Sequence, residues 1–403
     1  MTEPATYSNP DKELSIARSI QAAMVPHYLP SAEGIDIASL YKPCDAVGGD
    51  LFDVIKISED ELGFLLFDVS GSGVSSALIS SMGKVAFMSH LKDFSSPRTV
   101  LERVNRELVR HIDVDYFITA FLAHLDLHNN KLTYCNAGHT YPVVYSSKDD
   151  ALIPLKTSGL FVGIFDDGLY DEKSIFLDPG DWLILFSNGL YGMYNPQNEL
   201  EGRRAFERHL QALVKQHSPG TLMQEIDKYY TGSAHNVHIE DDINIIAVEM
   251  LTQSRKDKIK QQLGFDGSEP VYLQFINYFE DMDKTSAVIL RSMDDLGYAD
   301  DTIRKMKISL TELLANAIYH GNKKDHNKKV TIGHLVNKSY VKVSIMDEGE
   351  GFDIASVPDP TLPENLERDC GRGLYIVRNY VDKVELNDRG NRISIVKHHF
   401  AEE

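Results

Sequence analysis

The stretch FDVSGSGVSSAL (residues 67–78) joins the end of the apolar strand LGFLLFD to a long predicted helix through a turn that contains two glycines. The strand ends on Asp68, and glycine lets the backbone turn sharply directly after that carboxylate. Two other strand ends carry acidic residues beside a turn, and these are Asp50 after Gly48 and Gly49, and Asp241 with Asp242 at the start of DDINIIAVEM. The pattern predicts that carboxylates from distant strands converge at one end of a β structure.

The composition limits the class of protein and the kind of partner. With 403 residues, 42% of them apolar and 25% charged, the chain has the profile of a soluble globular protein of about two or three domains. Its net charge is −19, and it contains no block of lysines and arginines. These features argue against nucleic acid or an anionic membrane as a main partner.

Three features favour a cytoplasmic location. The cysteines Cys44, Cys135 and Cys370 show no C-x-x-C pairing, and their odd number fits a reducing compartment. The start, MTEPATYSNPDKE, is polar and acidic, which is unlike a signal peptide. No apolar run approaches the ~20 residues that are needed to span a bilayer.

The order of predicted elements indicates two unlike domains. Strands outnumber helices up to residue 251 and do not alternate with them, which favours a two-layer β core flanked by helices over a doubly wound sheet. A charged segment that ends in Gly and Pro follows, and we interpret it as a linker. The predicted parts are an N-terminal helix within residues 1–30, a first domain at 31–251, the linker at 252–270 and a second domain at 271–403.

The clustered carboxylates of the first domain predict a metal site. Partly buried carboxylates repel one another and stay ionised only if a cation compensates their charge. Ligands that are all oxygen suit Mg²⁺ or Mn²⁺, and two such ions can activate a water against a phosphoryl group. Asp is also common at strand–turn junctions as a turn residue, so the spacing alone leaves both interpretations open.

Five motifs of the first domain, taken in order, resemble the SpoIIE/RsbU-type branch of the protein phosphatase 2C family. They are AVGGDLFDV, FDVSGSGVSSAL, CNAGHTYPVVY, FSNGLYG and DDINIIAVE, and the resemblance covers roughly residues 10–250. It implies an α-β-β-α sandwich that holds two Mn²⁺ or Mg²⁺ ions between its sheets. It also implies hydrolysis of phosphoserine or phosphothreonine by a metal-held water.

The resemblance assigns a role to each residue of the predicted metal site. Asp68 would bridge both ions and take part in catalysis, and the carbonyl of Val69 would bind one of them. Asp50 would hold the second ion, directly or through water. Asp241 would bind the first ion, with Asp242 beside it.

Asn188 departs from the pattern of that family. The family usually has Asp at this strand end, with Glu where this chain has Gly192. Asn keeps a carbonyl oxygen as a metal ligand but removes one negative charge, and perturbing even outer partners of a metal typically costs ~10–100-fold in affinity or activity. Two interpretations stay open: a slow phosphatase that needs much metal, or a pseudophosphatase that binds its phosphoprotein without turnover. His139, in NAGHT, is interpreted as a structural turn residue.

A second group of polar and glycine residues lies in the second domain. Glu312, Asn316 and His320 are four residues apart on one helical face, a pattern that is also typical of a solvated helix edge. Further along, Asp347 ends a strand, and glycines at a helix N-terminus leave backbone N–H groups free to bind phosphate. The remaining residues of the two glycine motifs are Gly349 and Gly351 in MDEGEGFD, and Gly371, Arg372, Gly373 and Leu374 in DCGRGLYIV.

These motifs resemble those of the GHKL (Bergerat-fold) ATPases, specifically the RsbW/SpoIIAB-like serine kinases, over about residues 270–400. The resemblance implies an α/β sandwich, so the fold class of the whole chain is α+β. It implies ATP with Mg²⁺: Asn316 would bind the ion, Asp347 would accept a hydrogen bond from adenine, and Glu312 would be the general base on the acceptor serine. The glycines and Leu374 would line the pocket and its lid, and Arg372 would either meet a phosphate or lie in solvent.

A serine kinase and a phosphoserine phosphatase on one chain predict a partner-switching regulator. The families imply a STAS-domain anti-sigma factor antagonist as the shared target, and a sigma factor as a further partner. The competing interpretation is a binding protein that sequesters one of these partners without turnover. The N-terminal helix resembles the element through which related phosphatases form homodimers, although a helix that only caps the domain fits equally well.

Overall fold

The computed structural model describes residues 10–26, 29–91, 96–112, 115–233, 241–276, 279, 281–325, 328–352 and 372–399. The chain forms two compact units. The first comprises Met1–Pro30 and Ile35–Met250, and the second Ser31–Gly34 and Leu251–Glu403. Within the described ranges, we find no helix with the length and apolar character that a membrane crossing requires.

The first unit contains two five-stranded antiparallel sheets. One sheet has the order β1 (Ile35–Lys42), β10 (Ile243–Met250), β9 (Trp182–Phe186), β6 (Val143–Ser146), β7 (Ala151–Pro154). The other has the order β2 (Leu51–Lys56), β3 (Glu61–Val69), β4 (Ile118–Asp126), β5 (Lys131–Ala137), β8 (Glu172–Phe176). All residues of β10 are buried, as expected for a central strand that is covered on both faces.

Helices cover each sheet of the first unit. Their bounds are α1 (Pro10–Ala22), α2 (Val74–Leu91), α3 (Pro97–Leu108), α4 (Gly189–Tyr194), α5 (Glu199–Val214) and α6 (Pro219–Ser233). α2 and α3 share a core with the β2–β8 sheet, and α4 to α6 share a core with the β1–β7 sheet. The predicted α-β-β-α sandwich is confirmed, and its strand ends carry Asp50, Asp68, Asn188 and Asp241.

The second unit packs helices on one antiparallel sheet. The sheet has the order β11 (Tyr272–Ile276), β12 (Val330–Val336), β13 (Tyr340–Asp347), β15 (Arg392–His398), β14 (Lys383–Leu386). The helices are α7 (Gln253–Gln262), α8 (Asp281–Asp295), α9 (Asp300–Ala315), which continues into a π-helical turn (Asn316–Gly321), and α10 (Arg372–Tyr380). This α/β layering agrees with the predicted ATPase fold.

The structure differs from the sequence prediction at the linker and near the C-terminus. The predicted linker forms α7, and the residues after it bury Leu263 and Phe265 in a small core of the second unit. The segment GRGLYIVRNYVDKV (residues 371–384) is predicted from its sequence to be one helix, but the helix ends at Tyr380, because Val384 belongs to a strand and packs on the sheet core. In both places tertiary burial outweighs the local polarity of the sequence.

Candidate functional site

Asp50 and Asp68 form a close carboxylate pair at the end of β3. Asp50 is 1% exposed, and its Oδ2 accepts a hydrogen bond from Asn244 Nδ2 at 3.0 Å. Its Oδ1 is buried without a hydrogen-bond partner in the part of the chain that the structure describes. Burial and the neighbouring Asp68 raise the pKa of Asp50 well above its usual value, and burial raises the pKa of Asp68 to about 6. A cation between them would allow both carboxyls to ionise.

The backbone around this pair leaves room for an ion. A Cβ on Gly49 would lie 3.0 Å from the carbonyl oxygen of Val69 and 3.5 Å from Asp68 Oδ1, so glycine keeps this face clear. The structure therefore brings together Asp50, Asp68 and the Val69 carbonyl. The donor set is entirely oxygen, and with an orphaned buried carboxylate oxygen it fits Mg²⁺ or Mn²⁺.

Asp242 has a structural role in addition to the metal role that the sequence predicts. Its Oδ1 accepts a hydrogen bond from the Cys44 amide at 2.8 Å, and its Oδ2 accepts one from the Asp50 amide at 3.1 Å. A side chain on Gly48 would collide with the same carboxylate. Because backbone amides engage both oxygens, Asp242 anchors the turn that carries Asp50.

Asn188 contacts Asp241 directly. Its side-chain Nδ2 donates a hydrogen bond to Asp241 Oδ2 at 2.9 Å. Burial raises the pKa of Asp241 above its usual value, and this hydrogen bond opposes part of the rise. Asn188 is an uncharged donor to Asp241. An aspartate at position 188 would instead face a second carboxylate and would need a cation to offset the repulsion. Across the described residues, no three His, Cys, Asp or Glu side chains are grouped as a complete metal site. The predicted ligands instead occur as two pairs, Asp50 with Asp68 and Asn188 with Asp241.

Several supporting residues were missed in the sequence. Asn244 is fully buried in β10, and its backbone N–H is held by the Ser187 hydroxyl at 3.0 Å. Lys84 of α2 is buried against the sheet and donates to the Phe52 carbonyl at 2.9 Å and to Asp53. The sequence did contain a signal for each of them. Asn244 is a polar residue inside an otherwise apolar strand, and Lys84 is the one lysine in a helix of small residues. His139 is a structural turn residue, as predicted: it is buried, and its Nδ1 lies 2.9 Å from Thr119 Oγ1.

In the second unit, Asp347 is held between two glycines at the end of β13. The Gly349 amide donates to Asp347 Oδ1 at 2.8 Å, and a side chain on Gly321 would collide with the carboxylate. Burial raises the pKa of Asp347. The carboxylate is therefore fixed in one orientation at the end of a strand.

The π-helical turn lies between the two predicted parts of the nucleotide site. Its first residue is Asn316, whose backbone N–H reaches the carbonyls of both Glu312 and Leu313. Single π turns inside helices occur frequently at functional sites. The sequence predicted a continuous α-helix with His320 on the same face, but the wider turn changes the spacing after Asn316, and His320 is exposed.

Glu312 lies against the start of α10. A side chain on Gly373 would collide with its carboxylate, so glycine permits this close approach. Arg372 is exposed at the start of the helix, and Leu374 is buried in its first turn. Gly351 has a φ of +81° and packs against the backbone at 389–390. Gly371 lies outside the described residues.

Replacing Gly321 by Ala should weaken ATP binding by about tenfold or more. The new methyl group would occupy the space of the Asp347 carboxylate, which must then leave its position. Calorimetric titration with ATP and Mg²⁺ measures the effect. Gly267→Ala is the matched control, because its methyl group would meet only the side-chain amide of Gln261, at 4.0 Å. Equal ATP affinity in both variants would contradict the placement of adenine at Asp347.

Comparison with known families divides the chain in the same way as its structure. The family described as Stage II sporulation protein E (SpoIIE) matches residues 58–251. The family described as Histidine kinase-like ATPase domain matches residues 279–397. The first match contains Asp68, Asn188 and Asp241 but begins after Asp50, and the second contains Glu312, Asn316 and Asp347.

Two relatives and one solved structure have similar sequences or folds. Phosphoserine phosphatase RsbU of Bacillus subtilis is 28% identical over 238 residues, which are 59% of this chain and 69% of RsbU. Serine-protein kinase RsbW of the same organism is 30% identical over 112 residues, which are 26% of this chain and 69% of RsbW. The crystal structure of the RsbU and RsbW domains of Rv1364c from Mycobacterium tuberculosis covers 93% of this chain and 95% of its own, with a TM-score of 0.52 and 18% identity. That last similarity shows the fold alone.

Proposed function

We propose, because residues 58–251 match the SpoIIE family and the chain belongs to the RsbW family through its second unit, that it is a partner-switching regulator that both removes and adds a serine phosphate. The observation that supports the proposal is that one chain carries two separate groups of polar side chains. Asp50 and Asp68 form a buried carboxylate pair in the first unit, and Glu312, Asn316 and Asp347 lie in or beside the π-helical turn of the second.

The first unit would act as a metal-dependent phosphoserine phosphatase. Asp50, Asp68 and the Val69 carbonyl would supply ligands on one side of a pair of Mn²⁺ or Mg²⁺ ions. Asp241 and the Asn188 carbonyl would supply ligands on the other side. Such ions, when bound, supply an activated water for phosphoester hydrolysis. Asn188 supplies no charge to this site, so we propose that the phosphatase needs more metal than one with aspartate there.

The second unit would act as an ATP-dependent protein-serine kinase. Asp347 would accept a hydrogen bond from the adenine amino group, and Asn316 would bind the Mg²⁺ of the ATP phosphates. Glu312 takes the proton from the acceptor serine hydroxyl, which is the general-base role. Gly373 at the start of α10 leaves space for the same carboxylate, since a side chain there would collide with it, and this close approach supports transfer by positioning.

The proposed substrate is a STAS-domain anti-sigma factor antagonist, in its phosphorylated and unphosphorylated forms, with a sigma factor as a second partner. We also propose a cytoplasmic location, which the free thiols of Cys44 and Cys135 support. A second candidate function is a pseudophosphatase that sequesters a partner without turnover. The hydrogen bond from Asn188 to Asp241 favours it, because it satisfies Asp241 without an ion.

Transfer and release of one labelled phosphate test the proposal. The chain, [γ-³²P]ATP, Mg²⁺ and the cognate STAS protein should give a labelled STAS protein, which then loses its label when ATP is removed and Mn²⁺ is added. Capture of the partner with neither transfer nor release would support the pseudophosphatase instead. Transfer without release at any Mn²⁺ concentration would leave only the kinase half standing.

A further inference from the structure

A residue of the N-terminal helix holds the turn that carries Asp50. Gln21 is 5% exposed, and among the described side chains of α1 it is the one that is buried. Its neighbours Ile20 and Ala22 are exposed. Its Oε1 accepts a hydrogen bond from the Gly48 amide at 2.8 Å, and its Nε2 donates one to the Gly48 carbonyl at 2.6 Å. One side-chain amide thus pairs with both backbone polar groups of a single glycine.

The same turn is held from two further elements. Gln21 Nε2 also donates to Ser80 Oγ of α2 at 3.1 Å, which ties α1 to α2 beside Gly48. On the opposite side, Asp242 packs against Gly48 and accepts the hydrogen bond from the Asp50 amide. Gly48 is therefore enclosed between the Gln21 amide and the Asp242 carboxylate.

The chemistry of the turn explains why it needs external contacts. Two successive glycines lose more conformational freedom on ordering than any other pair of residues, and no side chain of their own fixes them. Gly49 must nevertheless keep its face clear beside Val69, and the next residue carries the buried carboxylate of Asp50. The position of that carboxylate thus depends on what holds Gly48.

We propose that Gln21 is a positioning residue of the metal site: it fixes the turn of Gly48 and Gly49, so that Asp50 meets Asp68 in ligand geometry. This inference rests on the proposed phosphatase function, because it assumes that the Asp50–Asp68 pair receives an ion. The N-terminal helix is then a structural part of the metal site. The helix acts on the metal site through the side-chain amide of Gln21.

Mn²⁺ binding by the intact chain tests the proposal without an activity assay. Gln21→Ala and Gln21→Met both remove the amide, and the Met variant keeps a similar side-chain volume. Each should weaken Mn²⁺ binding by about tenfold in calorimetric titration, as is typical when a partner outside the ligand set is lost. Ser19→Ala is the matched control on α1, because the one hydrogen bond of its hydroxyl among the described residues is to the Ser15 carbonyl within the helix. This variant should bind Mn²⁺ as the parent does. Parent-like affinity in both Gln21 variants would overturn the proposal.

Hydrogen exchange without metal separates this inference from the proposed function. Loss of the Gln21 amide should accelerate exchange at the amides of both Gly48 and Asp50, while the strands β3 and β4 keep their protection. Acceleration at Gly48 alone would overturn the positioning role, because Asp50 would then be held independently. A parent chain that takes up no Mn²⁺ would contradict the phosphatase proposal, and the exchange data would still decide what Gln21 holds.

Discussion

Replacing Asn188 by Asp should lower the Mn²⁺ concentration that the phosphatase needs by tenfold or more. The substitution adds a charged oxygen ligand beside Asp241, and loss of even an outer partner typically costs a metal site ~10–100-fold. The measurement is the release of phosphate from a phosphoserine protein across a Mn²⁺ titration. The gain should be largest at low Mn²⁺ and should shrink as the parent site saturates.

The same variant should have an opposite effect on stability without metal. In the parent, Asn188 donates to Asp241 at 2.9 Å, whereas in Asn188→Asp two carboxylates face each other at that distance. Their repulsion should lower the unfolding temperature of the metal-free chain. Bound Mn²⁺ should then raise it by more than in the parent, because tighter binding to the folded state stabilises it more.

Two control variants isolate the added charge at position 188. Asn188→Ala removes the hydrogen bond without adding charge, so it should destabilise Asp241 but gain no metal affinity. Asn198→Asp adds the same charge at the start of α5, where Asn198 caps the helix and Asp caps equally well. If Asn188→Asp matches the parent in both metal demand and stability, Asn188 lies outside the metal site.

Replacing Glu312 by Gln should reduce phosphate transfer to the STAS protein by about 10²–10⁴-fold, the range for loss of a general base. Gln keeps the shape that packs against Gly373 but cannot take the proton of the serine hydroxyl. ATP affinity should stay within about threefold of the parent, since adenine and Mg²⁺ are assigned to Asp347 and Asn316. Single-turnover transfer from [γ-³²P]ATP and calorimetry of ATP binding measure the two quantities.

A second glutamate of the same unit provides the control for this variant. Glu385→Gln makes the same chemical change at a residue whose only described ion pair is with Lys383 on the surface of β14. It should transfer phosphate at the parent rate. Transfer by Glu312→Gln at that rate too would show that another group, or the substrate itself, removes the proton.

Sequence motifs were sufficient to predict the fold of both units, and they assigned to each site residues that remain predictions. Strand, glycine and carboxylate recur together around Asp50 and Asp68, because a sharp turn beside an ion favours glycine over other residues. The local pattern thus carried the information. The same reasoning located Asp347 and Glu312, which the structure places beside glycines 349 and 373.

Contacts between distant segments were beyond the reach of the sequence. Nothing local distinguishes Asp242 from Asp241, yet one accepts backbone amides of the Asp50 turn and the other faces Asn188. Gly48, which Gln21 contacts, lies 27 residues away in the chain, and Asp50, which Asn244 contacts, lies 194 residues away. The linker prediction was wrong for a related reason. The segment is mostly charged, and nothing local indicates that two of its residues, Leu263 and Phe265, are buried against the sheet.

The enclosure of Asp347 between Gly321 and Gly349 has a consequence for the choice of nucleobase. Adenine presents an exocyclic amino group that can donate to a carboxylate, whereas guanine presents a carbonyl oxygen at the equivalent position. A carboxylate on a mobile loop would swing aside for either base, but this one is fixed by the Gly349 amide and by the backbone at Gly321. GTP would therefore bring the guanine carbonyl oxygen against the Asp347 carboxylate, and both are hydrogen-bond acceptors. Because the carboxylate cannot move aside, we expect the kinase to discriminate against GTP.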